Sequence, residues 1–201
     1  IGREGSNSAL RVESGSTLNI RGLVMATNAG STGNSVVADG AGSTINIGAS
    51  GGGNLRIGGT SAGSDNNTFT VQNGASVTQN TATIIVGTSS STARLGSGNK
   101  LVVTGTNSLF TTDSAFLTVR GGTGAGVSGN SLEVTNGGTL DLTASGANLE
   151  VRHENTLLVD GGTINLNGGE LSIFSADSLL DFNSGAINTQ AASSSATTRT
   201  V

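Results

Sequence analysis

The densest group of acidic and basic side chains in this 201-residue sequence lies between positions 133 and 160. Two carboxylates, or a carboxylate with an arginine or lysine, are the groups that cleave glycosidic bonds by general acid–base catalysis. Such chemistry requires at least two of these side chains to face one cleft. The candidates are Glu133, Glu150, Arg152, His153, Glu154 and Asp160.

The pattern around the two best-placed carboxylates argues against a shared cleft. Glu133 and Glu150 each lie between two apolar residues, which is typical of outward positions on strands. Because the two strands differ, we expect the carboxylates to point outward from different faces. Sugar-binding clefts also usually provide an aromatic platform, and the sequence has no Tyr or Trp. The sequence therefore predicts a non-enzymatic protein without catalytic residues, with a polysaccharide-degrading enzyme as the alternative.

No pattern in the sequence predicts a metal or a cofactor. His153 has Glu150 and Glu154 nearby, but residues one and three apart on a strand do not converge on one ion. The segment 124–129 matches G-x-G-x-x-G, yet a strand-like Ser-Leu-Glu-Val follows it where a dinucleotide site needs a helix. The Gly-rich segment 121–126 lacks the aspartate of calcium-binding nonapeptide repeats.

Composition limits the remaining classes of function. The net charge is −4, and the nine Lys and Arg residues form no cluster along the sequence, so we expect no nucleic-acid partner. No apolar run approaches the roughly 20 residues that span a bilayer as a helix. The chain has 33 Gly, no Pro and no Cys, and 34% of its residues are hydrophobic. A folded core must therefore be thin and built from small repeated contacts.

A repeat of three short alternating stretches runs through the sequence, with units of 23 to 32 residues. The first stretch is marked by the pairs Leu10/Val12, Val37/Asp39, Phe69/Val71, Leu101/Val103, Leu132/Val134, Leu157/Val159 and Leu180/Phe182. The second is marked by Leu18, Ile45, Val77, Leu109, Leu140, Ile164 and Ile187. The third is marked by Leu23/Met25, Leu55/Ile57, Ile84/Val86, Leu117/Val119, Leu149/Val151 and Leu171/Ile173.

Alternation with a period of two indicates strands with one buried face, and three strands per unit joined by Gly-rich corners predict a solenoid. We expect an all-β, right-handed, single-stranded parallel β-helix with about seven turns, or rungs, of three short strands. The β-helix is predicted to cover residues 1–190, and residues 191–201 form a polar tail that can contact another subunit.

Three columns of mainly polar residues follow from stacking the repeats. Asn34, Asn67, Asn99, Asn130 and Asn155 precede the first strand, as Asn7 does in the first unit, and predict a partly internal asparagine ladder. The outward residues of the stacked second strands are predicted to form two neighbouring columns. The first is Thr17, Thr44, Ser76, Ser108, Thr139, Thr163 and Ala186; the second is Asn19, Asn46, Thr78, Phe110, Asp141, Asn165 and Asn188. Regular Thr columns resemble ice-binding surfaces, a weaker alternative function.

The repeats resemble the β-helical passenger domains of bacterial autotransporters and related surface proteins. The resemblance spans about residues 8–188 and is carried by segments such as Asn-Ser-Leu-Glu-Val-Thr-Asn-Gly-Gly-Thr-Leu-Asp-Leu at 130–142. It implies a secreted or surface-displayed structural stalk, often adhesive.

Neither end of the sequence shows a capping element, although a solenoid with bare ends exposes apolar surface and unpaired strand edges. We therefore expect head-to-tail stacking of identical subunits or continuation of a longer solenoid, in an extracellular or cell-surface setting, with surface glycans as possible ligands. The predicted assembly interface comprises Leu10, Val12, Leu180, Phe182, Ile187 and Val201.

Overall fold

The computed structural model describes residues 1–48, 53–59, 63–80, 83–87, 96–120, 129–175 and 177–189. Its described residues contain eighteen strands and no helix, and every strand pair is parallel. The all-β, parallel β-helix fold predicted from the repeat is confirmed. The predicted tail, including Val201, lies outside the described residues.

The strands form seven rungs. The first five rungs have three strands each: β1 Ala9–Val12, β2 Thr17–Ile20, β3 Leu23–Met25; β4 Ser35–Asp39, β5 Thr44–Ile47, β6 Leu55–Ile57; β7 Thr68–Gln72, β8 Ser76–Gln79, β9 Ile84–Gly87; β10 Lys100–Thr104, β11 Leu109–Thr112, β12 Phe116–Arg120; β13 Ser131–Thr135, β14 Thr139–Leu142, β15 Asn148–Arg152. The sixth rung has β16 Thr156–Asn165 and β17 Leu171–Ile173, and the seventh has β18 Leu179–Asn188. In these two rungs one long strand supplies both the first and the second side.

Equivalent strands of successive rungs pair in register, so the side chains stack in columns along the axis. The third strands form a separate six-stranded sheet in the order β17-β15-β12-β9-β6-β3. Its two inward columns are those predicted from the sequence, for example Leu117 beside Leu149 and Val119 beside Val151. Each rung covers the apolar side chains of the rungs above and below it. A chain with few large residues can therefore form a continuous core.

Two predicted inward positions are wrong by one residue. In the second rung Val36 and Ala38 are fully buried, whereas the predicted Val37 and Asp39 are half-buried outward residues. A slip of one residue exchanges the two faces of a strand, so neighbouring apolar residues make the choice ambiguous.

The fourth rung contains the same kind of error. Phe110, predicted to point outward, is fully buried and aligns with Val77 and Leu140, whereas Leu109 occupies the outward column. The Phe110 ring lies edge-on to that of Phe69, with 6.2 Å between ring centroids. These two are the largest fully buried side chains of the core.

The predicted asparagine ladder is present and internal. Asn34 Nδ2 donates to Asn67 Oδ1 (2.9 Å), and Asn67 Nδ2 donates in turn to Asn99 Oδ1 (2.8 Å). Asn99 Nδ2 continues the series to Asn130 Oδ1 (3.1 Å). Each acceptor oxygen also receives the backbone N–H of the preceding asparagine, so the ladder fixes the height of every rung at this corner.

The two ends of the ladder differ from its middle. Asn155 Oδ1 accepts from the Asn130 backbone N–H (2.8 Å), but Asn155 Nδ2 turns to the His153 carbonyl. In the first rung the equivalent position belongs to Ser8, whose backbone N–H donates to Asn34 Oδ1 (2.9 Å). The assignment of Asn7 to the ladder is therefore wrong, and Asn7 is an exposed residue with a φ of 58°.

Candidate functional site

The charged residues between positions 133 and 160 do not form one site. Glu133 projects from β13 and binds Lys100 Nζ (2.8 Å) and Ser131 Oγ (2.8 Å). Glu150 projects from β15, in the other sheet, and binds Arg152 through both Nε (3.0 Å) and the guanidinium Nη2 (2.8 Å). As expected from their outward positions, the two carboxylates lie on different faces, each with its own cation.

The other members of that segment also have local roles. His153 and Glu154 both have positive φ, at 52° and 56°, in the short connection between β15 and β16. The His153 backbone N–H donates to Ser175 Oγ (3.1 Å), and Asp160 Oδ1 accepts from Ser184 Oγ (3.0 Å). Within the described part of the chain, no three His, Asp or Glu residues are grouped so that they can hold a metal ion.

The outward columns of the second strand are less regular than the sequence alignment predicted. The first column contains Leu109 instead of the predicted Ser108, which is buried and whose Oγ accepts the Gly74 N–H (3.0 Å). The second column contains Thr111 where Phe110 was expected. An apolar residue thus interrupts the hydroxyl lattice on which an ice-binding function depends.

Among the described residues, the β-helix forms a prism whose two axial ends have unpaired strand edges. At the first-rung edge, β1 and β2 pair only with β4 and β5. At the last-rung edge, β18 pairs only with β16. Strands with one free edge are ready to pair with another chain. The two edges are the candidate site for assembly.

The predicted assembly residues lie at these edges and face the core. Leu10 and Val12 are the inward residues of β1, and Leu180, Phe182 and Ile187 are those of β18. Val12 and Ile187 are buried, whereas the other three are only partly buried and pack against the core on one side. Val201 lies outside the described residues.

The first residues of the chain partly cover the third side of the first rung. The Ile1 ammonium donates to the Val24 carbonyl (2.9 Å), and the Ile1 carbonyl accepts from the Ala26 N–H (3.0 Å). Ile1 nevertheless remains 36% exposed. At the opposite end of this sheet, Ile173 is 38% exposed, and Leu179 of the last rung is 53% exposed. Exposed apolar side chains thus occur at both ends.

An ion pair lies at the first-rung edge. Arg11 binds Asp39 of the next rung and Glu13 of its own rung. The hydrogen bond to Glu13, followed by the Glu13 charge, raises the pKa of Arg11. A hydrogen bond from Asn73 Nδ2 (2.8 Å) is the main cause that lowers the pKa of Asp39.

A group of three arginines was missed at the sequence level because its members are far apart in the chain. Arg56 on β6, Arg120 on β12 and Arg152 on β15 project outward from the third-strand sheet, and we call this surface the arginine face. Burial is the main cause that lowers the pKa of Arg120, and the charges of Arg152 and Arg56 act in the same direction. Aligning the repeats by their third strands would have revealed the group.

Within the described residues there is no helix that is both long and apolar enough to span a membrane. No protein-family model, curated protein or solved structure matches this chain.

Proposed function

We propose that this chain is a non-enzymatic architectural protein, a β-helical stalk or filament subunit that stacks head to tail in an extracellular or bacterial surface setting. The observation that carries the proposal is the complementarity of the two axial edges. The autotransporter-like repeats support the cellular setting, and adhesion is a secondary role.

The complementarity is seen when the columns are extended past the last rung into the first rung of a second copy. The column that begins at Leu10 ends at Leu180, and the column that begins at Leu18 ends at Ile187. Stacking in register therefore places partly exposed apolar residues against each other and pairs the free edge of β18 with those of β1 and β2. Removing apolar surface from water contributes about 25 cal/mol per Å² to such association.

Polar columns extend across the same junction. The outward column that begins at Arg11 ends at Asp181, so stacking in register adds an opposite charge beside Arg11. The column that begins at Asn19 ends at Asn188. Side-chain hydrogen bonds already form at both ends of this column, with Asn46 donating to Asn19 (2.7 Å) and Asn188 donating to Asn165 (2.8 Å). Such a heterologous contact does not close on itself and generates an open filament.

Replacing Leu180 with Asp is expected to abolish stacking, because a carboxylate would enter the apolar column at the junction. Electron microscopy of the purified protein should show long uniform fibres for the parent and single short particles for Leu180→Asp. The matched control is Leu179→Asp, which places the same charge on the neighbouring outward residue of β18. Fibres that persist in Leu180→Asp, or a parent that forms only single particles, would contradict the filament.

A charge reversal tests the register of the junction. We expect Asp181→Arg to weaken assembly several-fold, because it places a second cation beside Arg11, whereas Asp181→Glu keeps the charge and should assemble like the parent. Sedimentation velocity at low ionic strength measures the fraction assembled. Equal assembly of all three proteins, or equal losses in the two variants, would reject this register while leaving the Leu180 result to decide on stacking itself.

The enzyme alternative is tested directly on the parent protein. Purified protein is incubated with a panel of polysaccharides, and reducing ends and unsaturated products are measured. Cleavage that is lost in Glu133→Gln or Glu150→Gln would establish the enzyme and overturn the architectural proposal.

A further inference from the structure

We propose that the arginine face binds a linear polysaccharide that carries carboxylate groups. This surface lies on the side of the prism, away from the axial edges, so the inference does not depend on head-to-tail stacking.

The first argument is an unfavourable arrangement of charge. Arg120 and Arg152 are direct register partners on adjacent parallel strands, about 4.8 Å apart. Like charges directly opposite each other destabilise a sheet. Glu150 binds Arg152 and its charge also acts on Arg120, whereas Arg56 adds a further cation two rungs from Arg120. A sequence that keeps such a local conflict usually does so at a functional site.

A second argument is an unsatisfied donor on the same surface. The Nε atom of Arg56 is buried and has no hydrogen-bond partner among the described residues. Leaving a buried donor unpaired is unfavourable, and more so when the donor is charged. In the rung between Arg56 and Arg120, the register partner of Arg120 is Gly87. Because glycine has no side chain, no side chain at this position separates Arg120 from the rung of Arg56. An anion at this surface would supply an acceptor for Arg56 Nε.

The third argument is the apolar surface that accompanies these cations. Phe116 lies at the start of β12 and is 47% exposed, and Phe174 follows β17 and is 55% exposed. Phe174 stacks with the Arg152 guanidinium, whose central carbon is 4.2 Å from the ring centroid. Register places the Cα atoms of Phe116 and Phe174 at opposite corners of the face, about 16 Å apart from strand spacing and rise. Exposed rings at this separation suit the apolar faces of sugars in an extended chain.

These features together select the class of ligand. Guanidinium groups bind carboxylates through two parallel hydrogen bonds. The chain carries a net charge of −4, yet this face has three cations against two acids, Glu150 and Glu170, so an acidic polymer is attracted to it more than to the chain as a whole. A nucleic acid demands a denser set of cations than these three arginines provide.

Binding is tested by biolayer interferometry with immobilised sodium alginate, a linear carboxylated polysaccharide, and with neutral dextran and double-stranded DNA as comparison polymers. The parent protein should bind alginate in a salt-sensitive manner and leave dextran unbound. Arg120→Gln combined with Arg152→Gln should weaken alginate binding by about tenfold or more, because two charge-assisted contacts are lost. Phe116→Ser should also weaken binding, without a change in net charge.

The matched control is Arg11→Gln combined with Lys100→Gln, which changes net charge by the same amount on β1 and β10, in the other sheet. This control should bind alginate like the parent. Thermal unfolding followed by circular dichroism confirms that each variant is folded; if the double variant is not, Arg152→Gln alone replaces it. No binding of alginate by the parent, equal losses in the two double variants, or tighter binding of DNA than alginate would overturn the inference.

Discussion

Replacing Asn67 with Ala is expected to lower the free energy of unfolding by roughly 3–5 kcal/mol, because several buried groups lose their partners at once. Asn67 Oδ1 accepts from both the backbone N–H and the Nδ2 of Asn34, at 3.0 and 2.9 Å. Asn67 Nδ2 donates to Asn99 Oδ1. All three asparagines are buried, so water does not replace the lost bonds in the folded state.

Urea denaturation followed by circular dichroism measures this loss, and two variants sharpen the comparison. Asn67→Asp keeps the shape and the acceptor but removes the amide donor, and its carboxylate would face Asn99 Oδ1. We expect it to be as destabilising as Asn67→Ala at neutral pH. Asn46→Ala removes one exposed side-chain hydrogen bond, to Asn19, and should lower the free energy of unfolding by under about 1 kcal/mol. Equal stability of the Asn67 and Asn46 variants would show that the ladder is not a source of stability.

Much of the fold was predictable because the repeat records which residues share a column. In four of the six third strands, one polar residue separates two apolar ones, as in Leu55-Arg56-Ile57, and the predicted inward positions are correct. The fold class followed from the same alternation, because short parallel strands with one buried face require a neighbour above and below. The internal asparagine ladder followed from its constant place before the first strand.

The two register errors occurred where apolar residues are adjacent, at Val36-Val37 and Leu109-Phe110. In such a pair, alternation alone does not decide which residue points inward. In the second rung the ladder resolves the ambiguity: the inward residue lies two positions after each ladder asparagine, as Phe69 follows Asn67, and this rule selects Val36. The second strand has no such marker, since the corner before it varies in length.

The arginine face illustrates a different limit of sequence reasoning. Its three cations lie 32 or more positions apart, so no window of sequence contains two of them as a cluster. They become neighbours only because rungs of different length return the chain to the same side. Residues that share a surface of a solenoid can therefore be identified by aligning its repeats, but not by searching the sequence for local clusters.

Phe110 provides the sharpest energetic test of the register. Phe110→Ala is expected to lower the free energy of unfolding by about 3–5 kcal/mol, because it opens a cavity in the core and removes the contact with Phe69. Leu109→Ala, on the outward side of the same strand, is the matched control and should cost under about 1 kcal/mol. The opposite ranking in urea denaturation would mean that β11 is displaced by one residue. Because register is transmitted from rung to rung, such a displacement would also place Leu109 in the column of Val77 and Leu140.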